Sequence, residues 1–328
     1  MSVTSIADDL AVAATQVADV LRRSRCVVLL AHINPDADAL GSALALGLAL
    51  ESLGVEAHVA FGFPVATPES LRELPGQHLI GRPVPERPDA VVSLDAASPG
   101  RLGHLERLLT SATTSIVIDH HASNLGFGKL NWIDPQAEAT VVMVAELIDE
   151  LGVEIDVGMA ANLYAGLATD TVNFRFASGA GHALAARLVD IGVQASQVLL
   201  PITDSHPFAW LGMLGGVLSA ATLDPAAAGG QGLVAVRVRL ADAAGLRQEE
   251  LDSIIDIVRT AQEAAVAAVI KETGPDDWQV SLRSRNGVNV GRVATALGGG
   301  GHPRAAGYSF TGDYRALFAE LVGALDVA

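Results

Sequence analysis

Residues 26–61, CVVLLAHINPDADALGSALALGLALESLGVEAHVAF, decide the fold. The first six residues, Cys26 to Ala31, are an apolar run that reads as a buried strand. A polar loop follows from His32 to Asp38 and contains Pro35. Ala39 to Leu53 reads as an alanine-rich, strongly apolar helix, and Val55 to Phe61 returns as a strand. Strand, loop, helix, strand is the unit of a parallel, doubly wound sheet. Working outward, residues 5–23 read as an amphipathic helix. Val91 to Leu94 and Ser115 to Ile118 are further buried strands. Glu138 to Leu151, Val157 to Thr169 and Ala180 to Ile191 are helices.

From Gly192 to about Leu218 the alternation of strand and helix lapses, and the segment reads as a helical linker. Beyond it, Gly215 to Leu223 and Gly232 to Leu240 look like two strands around DPAAAGGQ. A helix is expected near Gln248 to Arg259, then strands at Ala264 to Lys271 and Trp278 to Arg285. Val290 to Leu297 is a short helix, followed by a glycine loop, a strand near Ala305 to Phe310 and a last helix to Val327. The expectation is an α/β chain with a parallel-sheet N-terminal domain over 1–191. A linker over 192–218 then leads to a smaller mixed-sheet α/β domain over 219–328.

Composition narrows the function. The chain has 328 residues, half of them hydrophobic, enough for two cores. A net charge of −16 argues against a broad electrostatic footprint for long duplex nucleic acid. It does not exclude a small phosphate ligand, because bound ions and a few arginines make one site locally positive. Aromatic residues are 4%, too few for extended base-stacking platforms. The single Cys26 excludes an internal disulfide and fits a reducing cytoplasm. No apolar stretch reaches the roughly 18–20 residues of a membrane span, and the start has no basic region of a signal peptide. The sequence reading is a cytoplasmic protein without a membrane role.

Four polar clusters stand at the ends of buried runs. They are His32, Asp36 and Asp38 in HINPDAD; Asp95 after VVSL; Asp119-His120-His121 after SIVI; and Asp170 in LATDT. Each has a bland reading alone. Asp36 and Asp38 suit a helix cap, Asp95 a turn, and Asp170 an Asx-type turn toward Asn173. Asp-His-His at a buried strand exit is harder to excuse, because burying three polar groups is costly. Together the clusters offer the mixed oxygen and nitrogen donors of a pair of divalent ions. Mn²⁺ fits that set, with Mg²⁺ or Co²⁺ as alternatives, and a structural zinc site would need cysteines.

The series HxNPDxD, lone Asp, DHH and TDT resembles the four motifs of the DHH phosphoesterase superfamily. The tract from Gly298 to Gly307, GGGGHPRAAG, resembles the DHHA1 domain that follows it in one branch. In length the chain is similar to the compact nano-RNase and pAp phosphatase group, some members of which cleave cyclic di-AMP. The resemblance implies that His32, Asp36 and Asp95 hold one ion. It implies that Asp38, Asp95, His120 and Asp170 hold the other, with Asp95 bridging. Asp119 would orient a neighbour, His121 would face the substrate as a general acid or phosphate contact, and Asn34 would sit beside a ligand or phosphate. The implied reaction is two-metal phosphoester hydrolysis of short RNA, releasing 5′-mononucleotides, and of mononucleotide or dinucleotide substrates. A homodimer is implied by the resemblance only.

In the second half, consecutive glycines let backbone N–H groups approach an anion, and His302 and Arg304 add directed donors to Gly299, Gly300 and Gly301. A flexible turn is the plainer reading of the glycines alone. Arg283 and Arg285 fall on one face of a strand and read equally as phosphate contacts or as solvated side chains. His58, His78, His104, His182 and His206 read as surface or satisfied core. Two other function classes stay open. One is a nucleotide- or RNA-binding sensor with a vestigial site, since the glycine-rich domain also resembles a module of alanyl-tRNA synthetases. The other is a pyrophosphatase or polyphosphatase.

Overall fold

The computed structural model describes residues 3–285 and 287–327. The chain divides into two compact units, Met1–Ser205 and His206–Ala328.

The first unit runs α1 (Val3–Arg23), β1 (Cys26–Ala31), α2 (Ala37–Ser52), β2 (Glu56–Phe61), β3 (Ala90–Leu94), α3 (Glu106–Ser111), β4 (Ser115–Asp119) and β5 (Leu130–Ile133). It continues with α4 (Thr140–Leu151), α5 (Val157–Asp170), α6 (Gly179–Ile191) and α7 (Ala195–Thr203). Its five strands are ordered β2-β1-β3-β4-β5 and every pair is parallel. Alternating residues feed two cores. Val27 and Leu29 of β1 pack with α1, α2, α4 and α5, whereas Val28 and Leu30 pack with Val91, Val117, Leu102 and Leu109. Both faces are covered, so the strands read as continuous apolar runs. Helix α2 is buried over Ala37 to Gly47, Ala49 and Leu50. A helix enclosed in this way is apolar nearly all round.

The strand order places a ligand site. The chain leaves β1 for β2 on one side and returns with β3 on the other, so the topology switches between β1 and β3. Ligands of open parallel sheets collect at such a point, beyond the carboxyl ends of the strands. Leu30, Ser93 and Val117 are in register across β1, β3 and β4. His32, Asp95 and Asp119, each two residues further on, therefore leave the sheet at one level.

The second unit runs α8 (Phe208–Ser219), β6 (Thr222–Asp224), the kinked turn α9 (Ala227–Gly230), β7 (Leu233–Val238), α10 (Gln248–Val258), β8 (Val266–Gly274) and β9 (Asp277–Ser284). It ends with α11 (Val290–Ala296), β10 (Gly300–His302), β11 (Ala305–Thr311) and α12 (Tyr314–Asp326). The sheet order is β10-β11-β9-β8-β7-β6, and only β7 and β8 pair in parallel. The expected α/β class holds, with a parallel sheet in the first unit and a mixed one in the second.

Two local readings are corrected. Gly215 to Leu223 is not a strand: most of it continues α8, and only Thr222–Asp224 pairs with β7. Trp210 and Val217, two helical turns apart, bury one edge of α8; the Trp210 indole donates to the Glu250 carbonyl at 3.0 Å, and Val217 packs with Val234 and Val236. Segment 192–218 also holds α7, whose Val198, Leu199 and Ile202 pack on the core of the first unit. Among the described residues no single helix is long and apolar enough to cross a membrane.

Candidate metal centre

The loop after β1 is held by its own backbone hydrogen bonds. Asn34 takes a left-handed backbone (φ 50°), with its N–H on the Phe63 carbonyl at 2.7 Å, and the Ile33 N–H meets the Arg101 carbonyl at 2.7 Å. Asp36 is the N-cap of α2, accepting from the backbone N–H groups of Asp38 and Ala39 at 3.1 and 3.0 Å. The cap reading of Asp36 is thus realised through Oδ1, while Oδ2 faces His32 Nε2 at 3.6 Å. Asp38, fully buried, points to α4. That helix has no side-chain cap of its own. Its Thr140 and Val141 N–H groups donate to the two Asp38 oxygens at 2.7 and 2.8 Å.

Asp95 follows β3 with φ 58°, a strained conformation for a non-glycine residue. Its N–H continues the sheet to Ile118 at 3.0 Å. Its two oxygens look in different directions. Oδ1 is 3.5 Å from His120 Nε2 and Oδ2 is 3.7 Å from His32 Nε2. His120 Nε2 also lies 3.2 Å from Asp170 and 3.8 Å from Asp38.

Asp170 reaches the centre because α5 lies close to the start of α2. A Cβ on Gly166, one turn before it, would stand 2.9 Å from Asp38 Cα and 2.6 Å from Val141. Val172, Asn173 and Phe174 are then left-handed in succession. Such a run costs roughly 1–2 kcal/mol per non-glycine residue. It is held by Asn173 N–H on the Ala168 carbonyl at 2.7 Å and Phe174 N–H on Thr171 Oγ1 at 3.1 Å.

The tautomers fit cation binding. His32 Nδ1 is 2.8 Å from the Ile33 carbonyl and His120 Nδ1 is 3.1 Å from that of Ala137. Each Nδ1 is thereby committed to a carbonyl, and each Nε2 faces carboxylates as the atom that would bind an ion in place of a proton. Most of these N···O separations, 3.5 to 3.8 Å, are too long for hydrogen bonds. Ligand bonds of about 2.1 Å place neighbouring donors about 3.0 Å apart at octahedral angles and about 3.4 Å apart at tetrahedral ones.

Electrostatics agrees. Burial and the charge of Asp170 push the Asp38 carboxyl up to about 8. Burial and the neighbouring Asp38, Asp36 and Asp170 hold Asp95 well above the usual carboxylate range. Burial opposes charge on His120, but its hydrogen bond to Asp170 and the charge of Asp38 win and push it up to about 10. Asp36 is partly desolvated, yet His32 and the Ala39 N–H hold its carboxyl well below the ordinary value. Like charges forced together without water call for cations.

The structure brings His32, Asp36 and Asp95 into one donor group and Asp38, Asp95 and His120 into a second, with ligand atoms within 4.8 Å of one another in each. Asp95 belongs to both. Asp119 and His121 stand alongside: His121 Nδ1–H meets Asp119 Oδ1 at 2.7 Å. Burial opposes ionisation of Asp119, but His121 and Asn124 hold its carboxyl below the usual value.

Three residues here carried no signal of their own in the sequence. Thr140 Oγ1 donates to Asp95 Oδ1 at 2.9 Å. Asn124 Nδ2 donates to Asp119 Oδ2 at 2.7 Å and to the Ala96 carbonyl at 3.1 Å. Arg101, exposed, places Nη2 3.1 Å from His32 Nδ1.

In the second unit the glycine tract forms a hairpin of β10 and β11. Part of its glycine content is structural. A Cβ on Gly299 would lie 2.1 Å from the Gly307 carbonyl, and Gly301, at φ 136°, would meet that of Ala305 at 2.5 Å. A Cβ on Gly300 meets nothing within 4 Å, so that position is open to a ligand. His302 is half-buried and Arg304 exposed at the turn. Arg283 pairs with Ala305 beside them, and Ser284 N–H holds the Arg304 carbonyl at 3.0 Å. Arg285 does otherwise: its guanidinium donates to the carbonyls of Ala261 and Ala264.

Comparison with known proteins agrees with this layout. Residues 26–167 match the DHH family, N-terminal domain, and residues 230–325 match the DHHA1 domain. The chain is 36% identical over 301 residues to the bifunctional oligoribonuclease and PAP phosphatase NrnA of Thermus thermophilus, covering 90% of this chain and 88% of that one. It is 26% identical over 311 residues to the cyclic-di-AMP phosphodiesterase GdpP of Geobacillus thermodenitrificans, covering 87% of this chain and 44% of that one. The crystal structure of an exopolyphosphatase-related protein from Bacteroides fragilis shares the fold, with TM-score 0.84 at 21% identity over 97% of this chain and 96% of that one. The chain belongs to the DHH family, and its second unit carries a DHHA1 domain.

Proposed function

We propose that this protein is a two-ion phosphoesterase. It trims very short oligoribonucleotides to 5′-mononucleotides and removes the 3′-phosphate of 3′-phosphoadenosine 5′-phosphate (pAp). Linear and cyclic di-AMP fall in the same range. The observation that carries this reading is Asp95, one oxygen toward His120 and the other toward His32. A carboxylate shared in this way is the hinge of a paired-ion site. The relatives' activities, oligoribonuclease with PAP phosphatase and cyclic-di-AMP phosphodiesterase, support the substrate class.

His32, Asp36 and Asp95 would hold one ion; Asp38, Asp95, His120 and Asp170 the other. The donor set favours Mn²⁺, with Mg²⁺ or Co²⁺ as weaker fits. Bound there, the ions would supply Lewis acidity and lower the pKa of water. The protein's own groups do the rest. Asp119 holds the Nδ1–H of His121, so the proton His121 can give to a leaving oxygen sits on Nε2. Asp119, whose carboxyl His121 and Asn124 hold below the usual value, fixes the orientation of that imidazole. With His32 Nδ1–H on the Ile33 carbonyl, that nitrogen offers no acceptor to Arg101, whose guanidinium then serves the substrate phosphate. Asn34, two residues after His32 in the loop that follows β1, is assigned to the same phosphate.

Phosphate recognition in the second unit is assigned to Gly300, His302, Arg304 and Arg283 on the hairpin and its neighbouring strand. A net charge of −16 suits a substrate a few nucleotides long better than a polymer. A cytoplasmic setting, consistent with the single cysteine, and a homodimer, by family likeness, belong to the same proposal. The test is a substrate panel under Mn²⁺ with product identification: pAp, pApA, cyclic di-AMP, longer oligomers and pyrophosphate. Turnover confined to pyrophosphate would replace this reading with a pyrophosphatase.

A further inference from the structure

We propose that Thr140 is a positioning residue of the paired-ion centre, its hydroxyl fixing the rotation of the Asp95 carboxylate so that one oxygen serves each ion. The inference rests on the two-ion reading and assigns a task to a residue outside the four motifs.

Thr140 is the first residue of α4 and is fully buried. The N-cap, where a hydroxyl would serve its own helix, is Ala139, and Thr140 stands one residue past it. Its hydroxyl goes to Asp95 Oδ1 at 2.9 Å, across 45 residues of chain. With an ion bound Asp95 is ionised and has no hydrogen to give, so the hydroxyl is then the donor.

The consequence is geometric. Asp95 sits on a left-handed turn, and rotation of its carboxylate about the last side-chain bond is soft. The Thr140 bond selects one rotation, with Oδ1 on the His120 side and Oδ2 on the His32 side. The same residue's backbone N–H holds Asp38 Oδ2 at 2.7 Å. One residue therefore orients two carboxylates, Asp38 in the first turn of α2 and Asp95 after β3. Groups that orient metal ligands in this way typically change metal affinity or activity about 10- to 100-fold when removed.

Thr140→Val keeps the shape and deletes the donor; Thr140→Ser keeps the donor and deletes a methyl. Mn²⁺ binding to the full-length chain is measured by titration calorimetry, with electron paramagnetic resonance to detect the spin-coupled pair. Metal-free thermal melts report folding. The wild type binds two ions with a coupled spectrum. Thr140→Val folds, binds at least one ion about 10-fold or more weakly and loses the coupled signal at two equivalents; Thr140→Ser retains both. If Thr140→Val does not fold, Thr140→Ala takes its place with the same expectation. Wild-type affinity and coupling in the valine or alanine variant would overturn the role. So would a serine variant as impaired as the valine one. A wild type that binds fewer than two ions would instead refute the two-ion reading, and this role with it.

Discussion

His121 is bound to Asp119 by a 2.7 Å hydrogen bond from Nδ1 to Oδ1, and Asn124 secures the other Asp119 oxygen at the same distance. Both supporting residues are buried. Asp119→Asn should lower kcat on pAp by roughly 100-fold or more. Asn124→Leu should lower it by about 10-fold, with KM and Mn²⁺ affinity near wild type. Steady-state kinetics at saturating Mn²⁺ separates the two constants. A raised KM with kcat intact would mean that the pair serves binding rather than proton transfer.

Asp95 costs the metal-free protein stability, because its carboxylate is buried among others of like charge. Asp95→Asn should abolish turnover. Its melting temperature in EDTA near pH 8 should equal or exceed that of the wild type. A large loss of metal-free stability would show that the carboxylate is a structural anchor.

The pH dependence has a definite sign. Asp38, pushed up to about 8, and His120, pushed up to about 10, both lie above their unfolded values of about 4 and 6.5. Each favours the metal-free fold at low pH, and that contribution is lost as pH rises through the folded value. The metal-free protein should therefore melt lower at about pH 9 than at about pH 7. Divalent ions displace these protons, so stabilisation by Mn²⁺ should grow over the same window, with proton release in calorimetry. A Mn²⁺ stabilisation that shrinks with rising pH would contradict the assignment.

Two arginines of the second unit should behave differently. Arg304→Ala should raise KM about 10-fold or more, because an exposed guanidinium at the hairpin turn is assigned to phosphate. Arg285→Ala should leave KM unchanged and cost about 1–2 kcal/mol of stability, since its guanidinium satisfies the Ala261 and Ala264 carbonyls. Chemical denaturation and kinetics on the two variants check this; a KM effect at Arg285 would return it to the substrate set.

The fold was legible where apolar runs are continuous. Val27 to Leu30, Val91, Val92 and Ile116 to Ile118 are buried on both faces, as strands of a covered parallel sheet are. The edge strand β5, Leu-Asn-Trp-Ile, was not, because only Trp132 of the four is buried. Helix α8 misled for the opposite reason: it is apolar throughout, while only Trp210 and Val217 are buried, so no periodicity marks its helical face. The donors of the centre stood at strand and helix exits and could be collected by residue type. Thr140 and Asn124 could not. One looks like any helix-starting threonine and the other like any turn asparagine, and their partners are set by tertiary contact. The glycine tract held two messages under one letter: Gly299 and Gly301 answer to the hairpin's own packing, whereas Gly300 has open space where a Cβ would stand.

The most direct test of the central claim is product analysis of pApA hydrolysis with Mn²⁺ at saturation, comparing wild type with Asp95→Ala. The account predicts AMP from the wild type, none with EDTA and none from the variant. Wild-type-like release of AMP by Asp95→Ala, or no hydrolysis by the Mn²⁺-loaded wild type, would contradict it.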